Sequence, residues 1–438
     1  MDSDADGPAG AAAAFRSREF TIFFSAGLVS NIGTWMQIVT VPYVIDQLTH
    51  STALVGVAAF CTYFPATIAS PLAGSLADRY DRRSVLLWSQ AVMGLMAAAL
   101  WGLWATGTAT VVLIFTCVVI GAFGTGLTFS AWQSIVAQLV PRSALLSAVR
   151  LNAMQLTGAR AVGPALGGVV LATLGPSAAF GLNALSFLVV IGALFLLAPR
   201  PPEPVEHHGV MQHFREGLRY TMQRQVFIVP VAVVFLVAMF GVGLTQLLEP
   251  FARHVLDVGP GIYGLLTAGY GVGAVLGSLL MVVWADVFRR SWLASVGLVA
   301  MTVGVVLFGV SPTWAVTIGA LFVMGFAQVL CTVSCNTALQ LNVEERFRGR
   351  VSSLFLMSFF AAAPLGALVG GLIGEVVGLR PMLVVAGVIL AVLTAWALVH
   401  WHRLRPLDES VPLFDHVVSP APAAVAPERT AIDVDVES

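Results

Sequence analysis

The sequence predicts an all-α membrane protein with twelve transmembrane helices in two six-helix, pseudo-symmetric bundles. Three observations carry that expectation. The composition is too apolar for a water-soluble chain, long apolar runs alternate with short charged turns, and motifs of the first half return in the second. The 438 residues are 58% hydrophobic and only 10% charged, with a mean hydropathy of +0.89, whereas soluble chains carry about 25% charged residues. A helical span needs about 20 apolar residues, so twelve use about 240 and leave room for loops and tails.

Apolar runs occur near 20–46, 53–76, 84–106, 109–137, 148–173, 177–198, 226–250, 261–285, 291–310, 313–338, 352–376 and 381–401. The acidic, Ala/Gly-rich leader before the first run lacks the pattern of a cleaved signal peptide, so the first span is expected to stay. All 22 basic residues are arginine. Only Arg253 and Arg380 fall opposite the N-terminal side and Arg160 falls inside a span; the rest share the N-terminal side. By the positive-inside rule both termini are expected in the cytoplasm, with the chain multi-pass in the cell membrane. The organisation expected is a disordered leader at 1–18, a first bundle at 19–198, a linker at 199–225, a second bundle at 226–401 and a disordered tail at 402–438. Val210, Phe214 and Leu218 in the linker recur every four residues, which suits a short interfacial helix. His207, His208 and His213 read there as solvated.

The most charged turn is Gly74-Ser75-Leu76-Ala77-Asp78-Arg79-Tyr80-Asp81-Arg82-Arg83, between the second and third runs. Asp78 at a helix C-terminus opposes its own dipole and suits the N-terminus of a neighbour, Gly74 permits close helix approach, and Arg79, Arg82 and Arg83 anchor the turn. This turn resembles the signature between helices two and three of the major facilitator superfamily, with Asp81 where glycine is usual. The halves echo one another: Gly74-Ser75-Leu76 by Gly277-Ser278-Leu279, Arg82-Arg83-Ser84 by Arg289-Arg290-Ser291, and Pro164 by Pro364, at offsets of 203, 207 and 200. The runs Asn31-Ile32-Gly33-Thr34-Trp35-Met36-Gln37, Glu216-Gly217-Leu218-Arg219-Tyr220 and Arg346-Phe347-Arg348-Gly349-Arg350-Val351 resemble the branch that contains enterobactin and macrolide-type drug exporters.

That resemblance implies a substrate site near the bilayer midplane between the halves, where polar residues inside spans become candidates. They are Asn31, Trp35, Gln37, Trp132, Gln133, Arg160, Gln246, Gln328 and Asn336. Arg160 is the sharpest, because a lone arginine at mid-depth costs at least about 2.5–3.5 kcal/mol unless it faces water, a carboxylate or an anionic substrate. It precedes Gly163, Pro164, Gly167 and Gly168, which resemble the fifth-helix motif of the superfamily's antiporters; the proline frees a carbonyl and the glycines admit a neighbour, so the segment can bend. Asp46 and Glu249, near the far ends of spans one and seven, are the proton-coupling candidates. The fourth-helix arginine common in those antiporters is missing.

The function expected is proton-coupled efflux of a drug, natural product or siderophore by a monomer, with uptake of a small metabolite or a non-transporting sensor as alternatives. No cofactor, metal or nucleic-acid partner is expected. The net charge is −1, and the four cysteines, Cys61, Cys117, Cys331 and Cys335, lie in apolar runs as small buried hydrophobes. The sequence carries no phosphate-binding Gly-x-x-x-x-Gly-Lys loop and no hydrolase constellation, so it is not expected to be an enzyme.

Overall fold

The computed structural model describes residues 13–79, 81–197, 219, 221–222, 225–344, 347–400 and 407–408; side chains at 70–79, 129–130, 157, 225, 285–286 and 348–350 lie outside that description. Most of the predicted linker and tail therefore fall outside the described residues. Among the described residues, twelve helices are long and apolar enough to cross a membrane. They are α1 (Arg18–Thr49), α2 (Thr52–Arg79), α3 (Arg82–Ala105), α4 (Val111–Gln138), α5 (Leu145–Thr173), α6 (Gly175–Leu196), α7 (Gln225–Val237) with its continuation, α8 (Pro260–Val287), α9 (Arg290–Val310), α10 (Trp314–Asn342), α11 (Arg348–Val377) and α12 (Leu379–Val399). Their outward residues are apolar, including Trp88, Val112, Val282 and Val376, as a lipid solvent requires.

The helix starts show local chemistry. Ser17 Oγ accepts from Phe20 N at 3.3 Å to open α1, and Thr110 Oγ1 accepts from Leu113 N at 3.4 Å to open α4. Asp81, which stands where the family turn has glycine, takes the N-cap of α3, its Oδ2 accepting from Ser84 N at 3.0 Å and Ser84 Oγ at 3.2 Å. The equivalent position before α9 is Phe288, and Arg289 there provides no side-chain cap. The second half borrows one instead: Asp408 Oδ1 accepts from Ser291 N at 2.9 Å, and Asp408 Oδ2 accepts from Ser291 Oγ. Arg290 Nη1 also donates to Leu407 O at 3.1 Å, and the Leu407 side chain is fully buried. These two residues depart from the disordered tail expected after 401, because they satisfy donors at the start of α9 that the local sequence leaves open.

Helix pairing repeats between the halves. In the first, α1 packs on α5, α2 on α4, and α3 on both α4 and α6; in the second, the seventh span packs on α11, α8 on α10, and α9 on both α10 and α12. The bundles join through α2 against α11 and α5 against α8, again a symmetric pair. With twelve spans the start of α1 and the end of α12 lie at one face, termed the terminal face; the other is the far face.

The seventh span is not the single helix expected over 226–250. After Val237 it widens into a π segment, Ala238–Val242, and then makes single turns at Gly243–Thr245 and Leu248–Pro250. A second π segment, Phe251–Val255, follows. Two tight bonds mark the break: Gln246 N to Gly243 O and Leu247 N to Leu244 O, both at 3.1 Å. Pro250 supplies no amide donor, and Leu256 N reaches Phe251 O at 3.1 Å with one residue more than an α turn contains. This irregular backbone lies between the bundles and redirects the side chains described next.

Candidate functional site

A cavity of about 200 Å³ lies between the bundles, lined from α1, α2, α5, the broken seventh span, α8, α10 and α11. Its walls are largely aromatic and aliphatic, including Trp35, Tyr63, Tyr263, Tyr270, Phe359 and Phe360, with Gln246, Thr245 and Thr267 as neutral polar groups. Arg160 is the one charged residue among the described residues lining it. Its guanidinium lies 5.5 Å from the Trp35 ring and 5.6 Å from the Tyr270 ring, held by two cation–π contacts from opposite bundles.

The backbone places these groups through close approach. A methyl built on Gly163 would come within 2.5 Å of Trp35 Cβ, so glycine there lets α1 lie against α5 with Trp35 beside the cavity. A methyl on Gly168 would come within 2.5 Å of Gly264 Cα, so α5 and α8 touch backbone to backbone at the bundle interface. Gly167 faces Met36 of α1, and Pro164 lines the cavity.

Of the predicted cavity candidates, Trp35, Arg160 and Gln246 line the cavity. Gln328 supports it from behind, its Oε1 accepting from the buried Tyr270 hydroxyl at 2.7 Å. The others stand elsewhere, and the expectation that they share one cavity is corrected for them. Gln37 Oε1 accepts from Asn183 Nδ2 at 2.8 Å, joining α1 to α6. Trp132 Nε1 donates to Asn152 Oδ1 at 3.0 Å, and its ring packs 4.1 Å from Phe23 toward the terminal face. Asn31, Gln133 and Asn336 do not line the cavity, and the last two are exposed. A polar residue inside a span can serve helix pairing as readily as a cavity, and helix rotation decides which. Sequence reasoning missed Tyr63, Tyr263 and Tyr270. Tyrosine in an apolar run was the available signal, because a buried phenol needs a partner.

At the far face a second cluster joins the bundles. Asp46 is fully buried, and both its oxygens are taken by the segment after the broken span: Arg253 Nη1 donates to Oδ2 at 3.1 Å, and His254 Nε2 lies 2.8 Å from Oδ1. His50, in the left-handed region at φ 52°, ends α1 by donating its backbone N–H to Asp46 O. Asp46, His50 and His254 thereby bring three ligand-type atoms within 4.8 Å of one another, although no metal group was expected. Arg253 on the same carboxylate makes the cluster an ion-pair latch first. Glu249 is also buried, 2% exposed, and its Oε2 has no hydrogen-bond partner. Neither acid is thus a solvated helix end. Further joins are the Glu375 carboxylate accepting from Ala53 N at 3.1 Å and, at mid-depth, Thr67 Oγ1 donating to Phe360 O at 3.4 Å.

At the terminal face Arg83 Nη2 donates to Phe195 O at 3.2 Å, tying α3 to α6, and Arg82 is half-buried beside it. Gly74, Asp78 and Arg79 lie on the α2 backbone, and their side chains are outside the described residues.

Two pseudo-symmetric six-helix bundles around a mid-depth cavity define a membrane transporter of the major facilitator type rather than an enzyme. The family model for transmembrane secretion effectors matches residues 9–438, and the chain belongs to that family. It is similar to the enterobactin exporter EntS of Citrobacter koseri, 27% identical over 81% of this chain and 85% of the relative. The EntS of Shigella boydii is 26% identical over the same shares. Among solved structures, a bacterial homologue of the human lysosomal transporter Spinster superposes with a TM-score of 0.72 at 18% identity, covering 91% of this chain and 99% of that one. The nucleoside transporter NupG gives 0.71 at 13% identity, with 87% and 98% covered.

Proposed function

We propose that this chain is a proton-coupled exporter of a bulky, partly apolar compound such as a drug, natural product or siderophore. It works by alternating access, as a monomer in the cell membrane with both termini cytoplasmic. The observation that carries the reading is the cavity between two bundles whose described joins run from the far face to mid-depth. The direction is supported by relatives named as exporters. Rocking of the bundles about α2–α11 and α5–α8 would open the far face only after the Asp46 latch separates. Gly74, Asp78, Arg79, Arg82 and Arg83 are proposed as the terminal-face gate, and Gly163, Pro164, Gly167 and Gly168 as the segment that bends.

For coupling, Glu249 is the favoured carrier and Asp46 the second. A carboxyl group is buried far more cheaply with its proton than without, and Glu249 keeps one oxygen free to hold one. An inward proton supplies about 2.3 kcal/mol per 100 mV and about 1.4 kcal/mol per pH unit, enough to drive substrate uphill. The test is efflux from cells expressing the chain against a panel of dyes, antibiotics and siderophores, with and without a protonophore and with Glu249→Gln. Gradient-dependent efflux lost in the variant supports the reading. Accumulation instead of efflux would make the chain an uptake carrier, and protonophore-insensitive efflux would remove the proton.

A further inference from the structure

We infer that Arg160 makes the central cavity selective for organic anions with a flat aromatic body, carboxylates joined to a ring system being the simplest class. The inference rests on reading this cavity as the transport site. A guanidinium has five N–H donors and no acceptor. Among the described residues Arg160 makes no hydrogen bond or ion pair, although it stands half-buried in the middle of α5. What it has instead is Trp35 and Tyr270 at 5.5 and 5.6 Å. The two rings offer no hydrogen-bond acceptor atom of their own at these contacts, so the N–H donors that pair with a carboxylate stay unspent.

The surroundings do not supply the missing acceptor. No aspartate or glutamate lines the cavity among the described residues. The Tyr270 hydroxyl is committed to Gln328. Glu249 is not among the described lining residues. An arginine kept for structure alone would carry a carboxylate or carbonyl partner at this depth, because an unpaired charge away from water is costly. An anionic guest provides that partner. A neutral guest leaves the charge unpaired, and a cationic guest meets like charge in a site of low polarity. The aromatic lining then decides the shape of the guest: Trp35 and Tyr270 flank the cation, and Tyr63, Tyr263, Phe359 and Phe360 complete walls against which a flat ring stacks.

The experiment uses the purified full-length chain in nanodiscs and in proteoliposomes with three probes on one skeleton: naphthalene carboxylate, naphthalene methanol and naphthalene methylammonium. The carboxylate is expected to bind at least about 100-fold more tightly than the ammonium, since like charge in a desolvated site costs several-fold more than a tenfold step. Arg160→Gln is expected to abolish that difference, while Arg160→Lys keeps its sign with weaker binding, because the planar fork is lost. An ammonium bound as tightly as the carboxylate overturns the inference. So does a carboxylate preference that survives Arg160→Gln, or no binding of any probe. If Arg160→Gln does not fold, the wild-type charge series and Arg160→Lys decide. Charge-blind transport into vesicles would leave the export reading standing and remove the anion site. Arg160-dependent carboxylate binding without transport would do the reverse.

Discussion

Breaking the far-face latch should shift the protein toward a form open on that face, and its size can be worked from the contacts. Asp46 is fully buried and accepts on both oxygens, from Arg253 at 3.1 Å and from His254 at 2.8 Å. Hydrogen bonds to charged groups contribute about 1.5–3 kcal/mol each. Here both partners are about a third exposed, at 31% and 37%, and can turn to water, so about 1.5 kcal/mol for the whole latch is the reasonable figure. Asp46→Asn keeps the shape and removes the charge, and should raise the open fraction about tenfold. Arg253→Ala should act more strongly, because it leaves a buried carboxylate with His254 alone, and breaking a buried pair costs up to about 3–5 kcal/mol. The double variant should fall below the sum of the two. The reporter is Thr52→Cys in a chain freed of Cys61, Cys117, Cys331 and Cys335. Thr52 is 8% exposed and packs against Gly374 across the bundle interface, so a maleimide reaches it only when the far face parts. Labelling rates equal to the parent in both single variants, or strictly additive effects, would refute the latch.

Three further outcomes are expected. Asp408→Ala, or truncation after residue 406, should destabilise the protein by about 1 kcal/mol through the lost cap of α9, read as a lower Tm of the purified chain; an unchanged Tm would show the clasp contributes nothing. Asp81→Ala should cost about 1 kcal/mol and Asp81→Gly only a few tenths, the order expected of an N-cap, with the reverse order counting against it. Tyr270→Phe strands Gln328 Oε1, which is 6% exposed in its residue, and should cost about 1–3 kcal/mol, whereas Tyr270→Phe with Gln328→Leu should recover part of that loss; chemical denaturation in detergent measures both.

The spans were legible because hydropathy is a property of consecutive residues and each run can be read without knowing its neighbours. The twofold relation was legible for the same reason, since Pro164 and Pro364 or Arg82-Arg83-Ser84 and Arg289-Arg290-Ser291 repeat as strings. Arg160 was legible as a cavity-lining residue because a charge at mid-depth is expensive wherever it points. The break in the seventh span was not legible: Gly241, Gly243 and Pro250 permit it, but such residues also occur in unbroken membrane helices.

By itself, the sequence determined twelve spans, two related halves and the family, because local composition and short strings decide those. Only the tertiary structure decided that Asp46 meets Arg253 and His254, more than 200 positions away, that Asp408 caps a helix 117 positions earlier, and that Trp35 faces the cavity while Gln37 turns toward Asn183. Those outcomes depend on how far each helix is rotated about its axis when it packs. A rotation of one residue carries a side chain through about 100°, from cavity to helix contact, without changing the hydropathy of the run.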